Sequence, residues 1–319
     1  LGINPGGAMD QWAAKTANIL VGNKTSEAVI EIHFPASDFF FETAVMISIC
    51  GGDFLHYLNG DEIPFWLPTL VNRFSILQFY GINEGARAYL AINGGLDVPA
   101  WLNSRSTNLK ATAGGYKGRA LQKDDEIAIP SLSPELLSLL GKKEFMILPW
   151  RADTAWGDNR KGEILLLPGN EWDRLAISSK EKILKQPFTI THQSDRMGYR
   201  LKSESLEITI NEEVISSAVT FGTVQLLPDG QLIILMADHQ TTGGYPRIGH
   251  VISAHHSRLA QMKAGEKVYF RLSDQQIAED AECRVGQGGG DQSGNPGQSL
   301  RRGCLATRCR GAARRPPAI

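Results

Sequence analysis

Charged side chains that could bind an anion occur at several places along the chain. Asp195 stands beside Arg196, and Asp238 follows a strand-like run. Arg105 is followed by Ser106. An arginine guanidinium binds a carboxylate or a phosphate through paired hydrogen bonds, and a nearby carboxylate serves as a base or orients another group. These residues suit the binding of an anionic substrate. The alternative is that Asp195 and Arg196 pair within the fold and have a structural role.

Two glycine pairs suit the same chemistry, because glycine lets backbone amides approach an anion closely. Each pair, at 114–115 and at 243–244, precedes a tyrosine. The pairs are equally consistent with turns that need a positive φ. The similar segments Thr-Ala-Gly-Gly-Tyr and Thr-Thr-Gly-Gly-Tyr suggest two related units joined near 131–143, and chance is the competing explanation for so short a match.

Motifs for the common catalytic chemistries are missing from the sequence, which has no Walker A motif, no GxSxG elbow, no HExxH and no GxGxxG after a strand. His250, His255 and His256 are interpreted as histidines around a helix start, since no carboxylate accompanies them at metal-binding spacing. Lys263 follows a methionine, as a biotinylated lysine does, but we interpret it as a surface lysine. We therefore predict neither a metal site nor a biotin attachment site on this chain.

Short runs rich in β-branched and aromatic residues recur between turn signals, and this pattern is typical of barrels or sandwiches. The clearest strands are predicted at 44–49, 76–80, 88–92, 126–129, 145–148, 163–167 and 188–191. A hairpin is predicted from 223–227 and 231–236, because Pro-Asp-Gly at 228–230 suits a tight turn. Helices are expected from Asp10 to Val21, from Ser133 to the residue before Gly141, and from Ser253 or Ser257 to Met262.

Composition predicts a soluble, cytoplasmic protein with an unusual end. Of the 319 residues 42% are hydrophobic, which is enough for a sizeable core, and no apolar run reaches the length of a membrane span. From Glu282 onward there are seven arginines, no lysine and two acidic residues, with too few large apolar residues to fold. We interpret 282–319 as a disordered or aberrant tail. The body that precedes it is acidic, which argues against a nucleic-acid partner.

Ordered blocks of residues carry a family resemblance over nearly all of 1–281. In the first half they are Pro5-Gly6-Gly7-Ala8-Met9-Asp10, Tyr89-Leu90-Ala91-Ile92-Asn93-Gly94-Gly95, Ser104-Arg105-Ser106-Thr107, Gly114-Gly115 and Gly118-Arg119. In the second half they are Pro168-Gly169, Ser194-Asp195-Arg196-Met197-Gly198-Tyr199-Arg200-Leu201, Phe221-Gly222-Thr223-Val224-Gln225 and Asp238 to Pro246. With these blocks the chain resembles the allophanate hydrolase subunit 2 and biotin-dependent carboxyltransferase family.

The resemblance implies a mainly β fold of two tandem cyclophilin-like β-barrel domains with a few short helices. The first domain would span 1–132 and would lack the family's opening strands. The second would span 144–281, and 282–319 would form the tail. The strand pattern agrees with this organisation.

Among the members of the family, the chain resembles the stand-alone oxoprolinase subunits, whose complex opens the lactam of 5-oxo-L-proline to L-glutamate with ATP as co-substrate. The implied partners are the A and B subunits of 5-oxoprolinase, of which the second is an allophanate hydrolase subunit 1-like protein. Activity is expected only in the complex. Two other functions stay open: a regulatory antagonist of a kinase-inhibitor homologue, and a carboxyltransferase component that uses a separate biotin carrier.

Lactam opening has to make a poor electrophile reactive, by phosphorylation or by polarisation, and then deliver water. For this chemistry we predict Asp195, Arg196 and Asp238 as catalytic residues. The residues predicted to bind the substrate or an anion are Arg105, Ser106, Gly114, Gly115, Gln225, Gly243, Gly244 and Tyr245.

Overall fold

Two β-sheets that follow one another along the chain make up most of the fold. The structure, a computed structural model, describes residues 2–153, 162–209 and 214–288. Within these residues the first sheet is formed by 30–147 and the second by 164–272. The prediction of a mainly β protein with a few short helices is confirmed.

The first sheet has seven strands, and two long strands dominate it. The strands are β1 (Ile30–Ile32), β2 (Phe39–Phe41), β3 (Val45–Leu58), β4 (Asp61–Glu62), β5 (Pro68–Val71), β6 (Ser75–Ile92) and β7 (Phe145–Ile147). Their order is β1-β6-β3-β5-β7, with β2 beside β6 and β4 beside β3. The register of β3 against β6 shifts between Gly51 and His56, and such bulges let long strands bend around a core.

The second sheet has eight strands and curls until its two edges meet. With the separate pair β11–β14, the strands of this half are β8 (Ile164–Pro168), β9 (Phe188–Ile190), β10 (Gly198–Lys202), β11 (Ser217–Ala218), β12 (Thr223–Leu226), β13 (Leu232–Leu235), β14 (Thr242–Gly243), β15 (Arg247–Val251), β16 (Lys267–Val268) and β17 (Phe270–Leu272). The order is β16-β9-β10-β13-β12-β15-β8-β17. Only Tyr269 separates the two edge strands, so the sheet is a nearly closed barrel.

The helices lie between and beside the sheets. They are α1 (Gln11–Leu20), α2 (Pro134–Leu140), α3 (Ile177–Lys185), α4 (His256–Ala260) and α5 (Gln275–Gly288), with 3₁₀ turns at Trp172–Arg174 and Ser253–His255. The predicted caps are confirmed, because Asp10 accepts a hydrogen bond from the amide of Ala13 and Ser133 from that of Leu136. Among the described residues no helix is long and apolar enough to cross a membrane.

Three expectations need correction or a changed boundary. The run 126–129 is not a strand: Ile127 and Ile129 pack against the first core, but the segment lies outside both sheets. The strand Phe145–Ile147 pairs with β5, so the first sheet continues beyond the predicted end of its domain. Helix α5 continues past Glu282 to Gly288, so the start of the predicted tail is helical, and the rest of it lies outside the described residues.

The predicted hairpin is confirmed. β12 and β13 pair antiparallel from Val224 and Ile234 to Leu226 and Leu232. The turn between them has Gly230 at a φ of +78°, which suits glycine. This hairpin joins two central strands of the second sheet.

Candidate functional site

Arg196 connects the two halves of the molecule. Its Nε and Nη2 donate to the two carboxylate oxygens of Asp238, at 2.8 and 3.1 Å. Its Nη1 donates to Oε1 of Glu31 on β1, and its Nη2 also donates to the carbonyl of Gly7. The guanidinium therefore binds one carboxylate from each half and a backbone carbonyl of the N-terminal segment.

The strand register brings Arg196 and Asp238 together. β10 pairs with β13, and Gly198 lies opposite Leu235, so the start of one strand is next to the end of the other. The backbone pairing continues beyond the strands, because Asp238 donates its amide to the carbonyl of Arg196 at 2.8 Å. The alternative that Arg196 pairs with Asp195 is wrong, because Arg196 forms this cross-strand pair with Asp238 and Asp195 accepts from the amides of Met197 and Gly198.

Glu31 is a centre of polar contacts that sequence reasoning missed. Its Oε2 accepts hydrogen bonds from the Met9 amide and the Tyr89 hydroxyl, both at 3.0 Å. Its Oε1 pairs with Arg196 and lies 3.8 Å from Nε of Arg87. The available signal was a single acidic residue between two isoleucines in a strand-like run, since a buried acid needs partners.

The charge of Glu31 is held by its neighbours. Burial by itself would raise the pKa of this carboxyl group, because a low-dielectric environment disfavours the charged form. The hydrogen bond with His33 and the positive charges of Arg196 and Arg87 outweigh burial and hold the pKa of Glu31 well below its usual value. The same negative charge, with that of Asp238, keeps the pKa of Arg196 above its usual value although burial opposes this.

A second set of contacts joins the N-terminal segment to the end of the second half. Gln261 donates from Nε2 to Oδ2 of Asp10 at 2.8 Å. Its Oε1 accepts from the backbone amides of Ala86 and Arg87, at 3.0 and 3.1 Å. The amide of Asp10 in turn donates to the hydroxyl of Tyr89 at 2.8 Å. One glutamine side chain thus connects residues from three separate parts of the sequence.

Arg87 completes the junction. Its Nη1 donates to the hydroxyl of Tyr199 at 2.9 Å and to the carbonyl of Ala260. Burial raises the pKa of the Tyr199 hydroxyl, and the positive charge of Arg87 only partly offsets this effect. Tyr199 is therefore a neutral hydrogen-bonding group at physiological pH.

Ser106 is brought close to the Arg196–Asp238 pair. The space next to Gly6, where a Cβ would stand, is only 2.9 Å from Oδ1 of Asp238 and 3.2 Å from Oγ of Ser106. The Ser106 hydroxyl and the Asp238 carboxylate therefore both lie beside the backbone of Gly6. Three of the predicted site residues, Ser106, Arg196 and Asp238, belong to this cluster.

The first glycine pair supports the loop that carries Ser106. Gly114 and Gly115 have φ values of +73° and +49°, so both are in the left-handed region. A Cβ on Gly115 would collide with the Thr107 side chain, and one on Gly114 with the Ser106 carbonyl. Both positions therefore require glycine, because the backbone has a positive φ and there is no room for a side chain.

Asp195 and Arg105 make contacts away from this cluster. Oδ1 of Asp195 accepts from the amides of Met197 and Gly198, at 2.8 and 3.2 Å, which shapes the loop before β10. Arg105 forms an ion pair with Glu27 at 2.6 Å, and 38% of its side chain is exposed.

The other predicted binding residues form a second group on the second sheet. Gln225 on β12 is fully buried and donates from Nε2 to the Tyr245 carbonyl at 3.4 Å. Its Oε1 has no hydrogen-bond partner in the described part of the chain. Gly243 on β14 leaves room for this side chain, since a Cβ there would lie 2.5 Å from Nε2, and Gly244 packs against Ser216.

The three histidines have different hydrogen-bond and stacking partners, although the rings of His250 and His256 are in contact, with centroids 6.3 Å apart. His250 lies on β15, and Nδ1 of His255 accepts from the amide of Leu165 at 3.0 Å. His256 stacks on Phe221 with ring centroids 4.4 Å apart. Across the described ranges no group of three or more His, Cys, Asp or Glu residues is placed to hold a metal ion.

These contacts predict a loss of stability on acidification. Burial lowers the pKa of His255 and of His256 to about 4. The unfolded chain binds these protons at ordinary histidine pKa values, near 6.5. Their contribution to stability is therefore complete above pH 6.5 and is lost as the pH falls towards 4. In urea unfolding, His255→Asn should show a smaller loss between pH 7 and 5 than the parent. The exposed-site control His192→Asn should behave as the parent, and equal losses in all three would contradict the idea.

Comparisons with known proteins agree with one another. The family described as carboxyltransferase domain, subdomain A and B, matches residues 1–272. The chain is 34% identical over 269 residues to the C subunit of 5-oxoprolinase from Escherichia coli, with 84% of this chain and 83% of that protein covered. It is 34% identical over 277 residues to the same subunit from Haemophilus influenzae, with 87% and 85% covered.

A solved structure supports the fold. The crystal structure of Kluyveromyces lactis urea amidolyase superposes with a TM-score of 0.78 at 26% identity, covering 90% of this chain. The chain spans only 18% of the length of that larger protein.

Proposed function

We propose that this chain, which belongs to the carboxyltransferase domain family, subdomain A and B, is one subunit of an ATP-dependent 5-oxoprolinase. The reaction would open the lactam of 5-oxo-L-proline to L-glutamate, with ATP as co-substrate. The observation that carries the proposal is the 34% identity to the C subunit of the Escherichia coli 5-oxoprolinase over 84% of this chain. The relatives are subunits, and so we propose that this chain acts with partners.

The proposed partners are the A and B subunits of 5-oxoprolinase, the second being the allophanate hydrolase subunit 1-like protein. Lactam opening needs three things: activation of the carbonyl, a group that positions water, and binding of the substrate carboxylate. The described residues supply acids and hydrogen-bond donors for the second and third tasks. We assign the activation by ATP to the complex and not to any residue of this chain.

The Arg196–Asp238 cluster is the proposed place where this chain acts on the reaction. Asp238 is largely buried, with 8% of its side chain exposed, and its two oxygens are held by Arg196. The carboxylate is thereby fixed in orientation, which suits a base or a group that orients water. Ser106 adds a hydroxyl at the same point. The contacts of Arg196 make it a positioning residue for Asp238.

The remaining predicted site residues keep narrower proposed roles. Gln225 has a carbonyl oxygen without a partner among the described residues, which suits an amide N–H, with Gly243 and Tyr245 beside it and Gly244 next in the chain. Gly114 and Gly115 position the Ser106 loop. Asp195 accepts a hydrogen bond from the amide of Met197 within its own turn, and Arg105 forms an ion pair with Glu27. We propose that these two residues contribute only if partner binding breaks those contacts.

Reconstitution tests the function directly. This chain, mixed with its A and B subunits, ATP and 5-oxoproline, is expected to release glutamate, and omission of any one subunit should abolish the release. Asp238→Asn should lower the rate roughly a hundredfold, the lower range for losing a general base. Asp229→Asn, in the exposed hairpin turn, is the matched control and should keep the parental rate. Glutamate release that is unchanged without this chain would refute the proposal.

A second candidate is a carboxyltransferase component that acts on biotin bound to a separate carrier. The likeness to urea amidolyase favours it, since that fold is shared over 90% of this chain. The same reconstitution separates the two, when it is repeated with a biotin carboxylase, a biotin carrier and bicarbonate. Carboxylation without glutamate release would replace the first proposal by the second.

A further inference from the structure

A cleft of about 250 Å³ lies between the two sheets, beside the Arg196–Asp238 cluster and separate from it. One wall comes from β6 and the segment after β1, and the other from β9, β10 and the segment after α4. The inter-sheet cleft is lined by His33, Phe34, Ile82, Ala86, Arg87, Ile190, Ser194, Tyr199, Met262, Lys263 and Ala264. None of the catalytic residues proposed above is among them.

The charged groups that line the inter-sheet cleft are basic. Arg87 and Lys263 come from opposite walls, and the lining drawn from the described residues includes no acidic side chain. The hydroxyls of Ser194 and Tyr199 add hydrogen-bonding groups. Glu31 lies behind this wall, where its carboxylate is shared by Arg196, Met9 and Tyr89 and by two lining residues, His33 at 3.3 Å and Arg87 at 3.8 Å. The lining thus carries two positive charges that suit an anion.

Arg87 is a buried and firmly held cation in the wall of the inter-sheet cleft. The residue is only 7% exposed, and Tyr199 and Ala260 hold its Nη1 in place. Its Nε is buried and lies 3.8 Å from Oε1 of Glu31, which is an ion pair without a hydrogen bond. The guanidinium is therefore fixed in the wall, and a ligand in the cleft would meet it together with Lys263 on the opposite wall.

Size and lining narrow the ligand to a small organic acid. Pockets for drug-sized molecules measure roughly 300–1,000 Å³, and this cleft of about 250 Å³ is smaller, so its size suits a small ligand. Ile82, Ile190 and Met262 give it apolar surface next to the two cations. An anionic head with a short apolar body fits this combination better than a bare inorganic ion does.

We propose that the inter-sheet cleft binds a small carboxylic acid, with the carboxylate between Arg87 and Lys263 and the apolar part against Ile82, Ile190 and Met262. On the proposed function, on which this identification rests, the acid is 5-oxoproline. Lys263 is then a substrate-binding residue and not the surface lysine that the sequence suggests. The cleft would anchor the carboxylate while the Arg196–Asp238 cluster and the other subunits act on the lactam.

Calorimetric titration of the full chain with 5-oxo-L-proline tests the site without the partner subunits. Lys263→Gln is expected to weaken binding on the order of tenfold, as for the loss of one charge-assisted contact, and Lys263→Arg should restore most of it. Ala264→Trp should block binding by filling the cleft. The matched control is Lys185→Gln on α3, whose exposed lysine pairs with Glu181, and it should bind as the parent. Circular dichroism confirms that each variant is folded.

Two further ligands test whether the cleft recognises the carboxylate of 5-oxoproline or any small anion. 2-Pyrrolidinone, which lacks the carboxylate, should not bind, and inorganic phosphate should not compete. Failure of the parent chain to bind 5-oxoproline, either alone or in the reconstituted complex, would overturn the site. Binding that is insensitive to Lys263→Gln and to Ala264→Trp, or Lys263-dependent binding of phosphate alone, would do the same. The glutamate-release assay judges the proposed function separately, because it needs no assumption about this cleft.

Discussion

Glu31→Gln is expected to lower the free energy of unfolding by about 3 kcal/mol, the lower range for breaking a buried ion pair. The substitution removes the negative charge that Arg196 and Arg87 face, while both arginines stay in place. With 16% and 19% of their side chains exposed, Glu31 and Arg196 receive little compensation from water. Both oxygens of Glu31 accept hydrogen bonds, and a glutamine has only one acceptor oxygen, so the loss includes hydrogen bonds as well as charge. Urea unfolding at pH 7 provides the value.

Glu27→Gln is the matched control for this prediction. Glu27 also pairs with an arginine, Arg105, at 2.6 Å, but that pair is more exposed. Exposed ion pairs contribute about 0–1 kcal/mol, so the control should change stability by no more than that. Equal losses for the two substitutions would show that burial at the sheet junction does not strengthen the Glu31 interaction.

Asp10→Ala is expected to cost about 3 kcal/mol, because one side chain performs two tasks. Its Oδ1 caps α1 through the Ala13 amide, a contribution of about 1 kcal/mol. Its Oδ2 accepts from Gln261 in a buried position, and leaving that donor unsatisfied costs a further 1–3 kcal/mol or so. Chemical denaturation of the variant and of the parent gives the difference.

Ser133→Ala separates the cap from the junction. Ser133 caps α2 as Asp10 caps α1, but its contact is local and partly exposed. Its removal should cost about 1 kcal/mol. If Asp10→Ala costs no more than Ser133→Ala, the contact with Gln261 adds nothing, and the two halves are held by other interactions. Asp10→Asn, which retains a capping oxygen, should lie between the two.

Both predictions concern contacts between residues that are distant in the sequence. Gln261 and Asp10 are 251 positions apart, and Arg196 and Glu31 are 165 apart. Such contacts form only when both halves have folded and docked, and closing long loops carries an entropic cost. The polar junction therefore reports on the docked state of the two sheets more directly than the apolar cores do.

The sequence by itself determined the local structure and the family. The caps at Asp10 and Ser133, the hairpin turn at 228–230 and most strands follow from short-range rules. These rules say which side chain can cap a helix, which residue accepts a positive φ, and which run is rich in β-branched and aromatic residues. The family resemblance has the same origin, since its ordered blocks are short and continuous. Each of these features depends on residues within a few positions of one another, and so a linear reading is sufficient.

Only the tertiary structure decided which distant groups meet. The run 126–129 has the apolar residues of a strand, but no neighbouring strand among the described residues pairs with it. Arg196 binds Asp238 and Glu31 and leaves Asp195 to its own turn, because the pairing of β10 with β13 and the docking of β1 determine its surroundings. The cleft that includes Lys263 has one wall from each half. Pairing and docking of this kind depend on the relative placement of whole sheets, which no local pattern encodes.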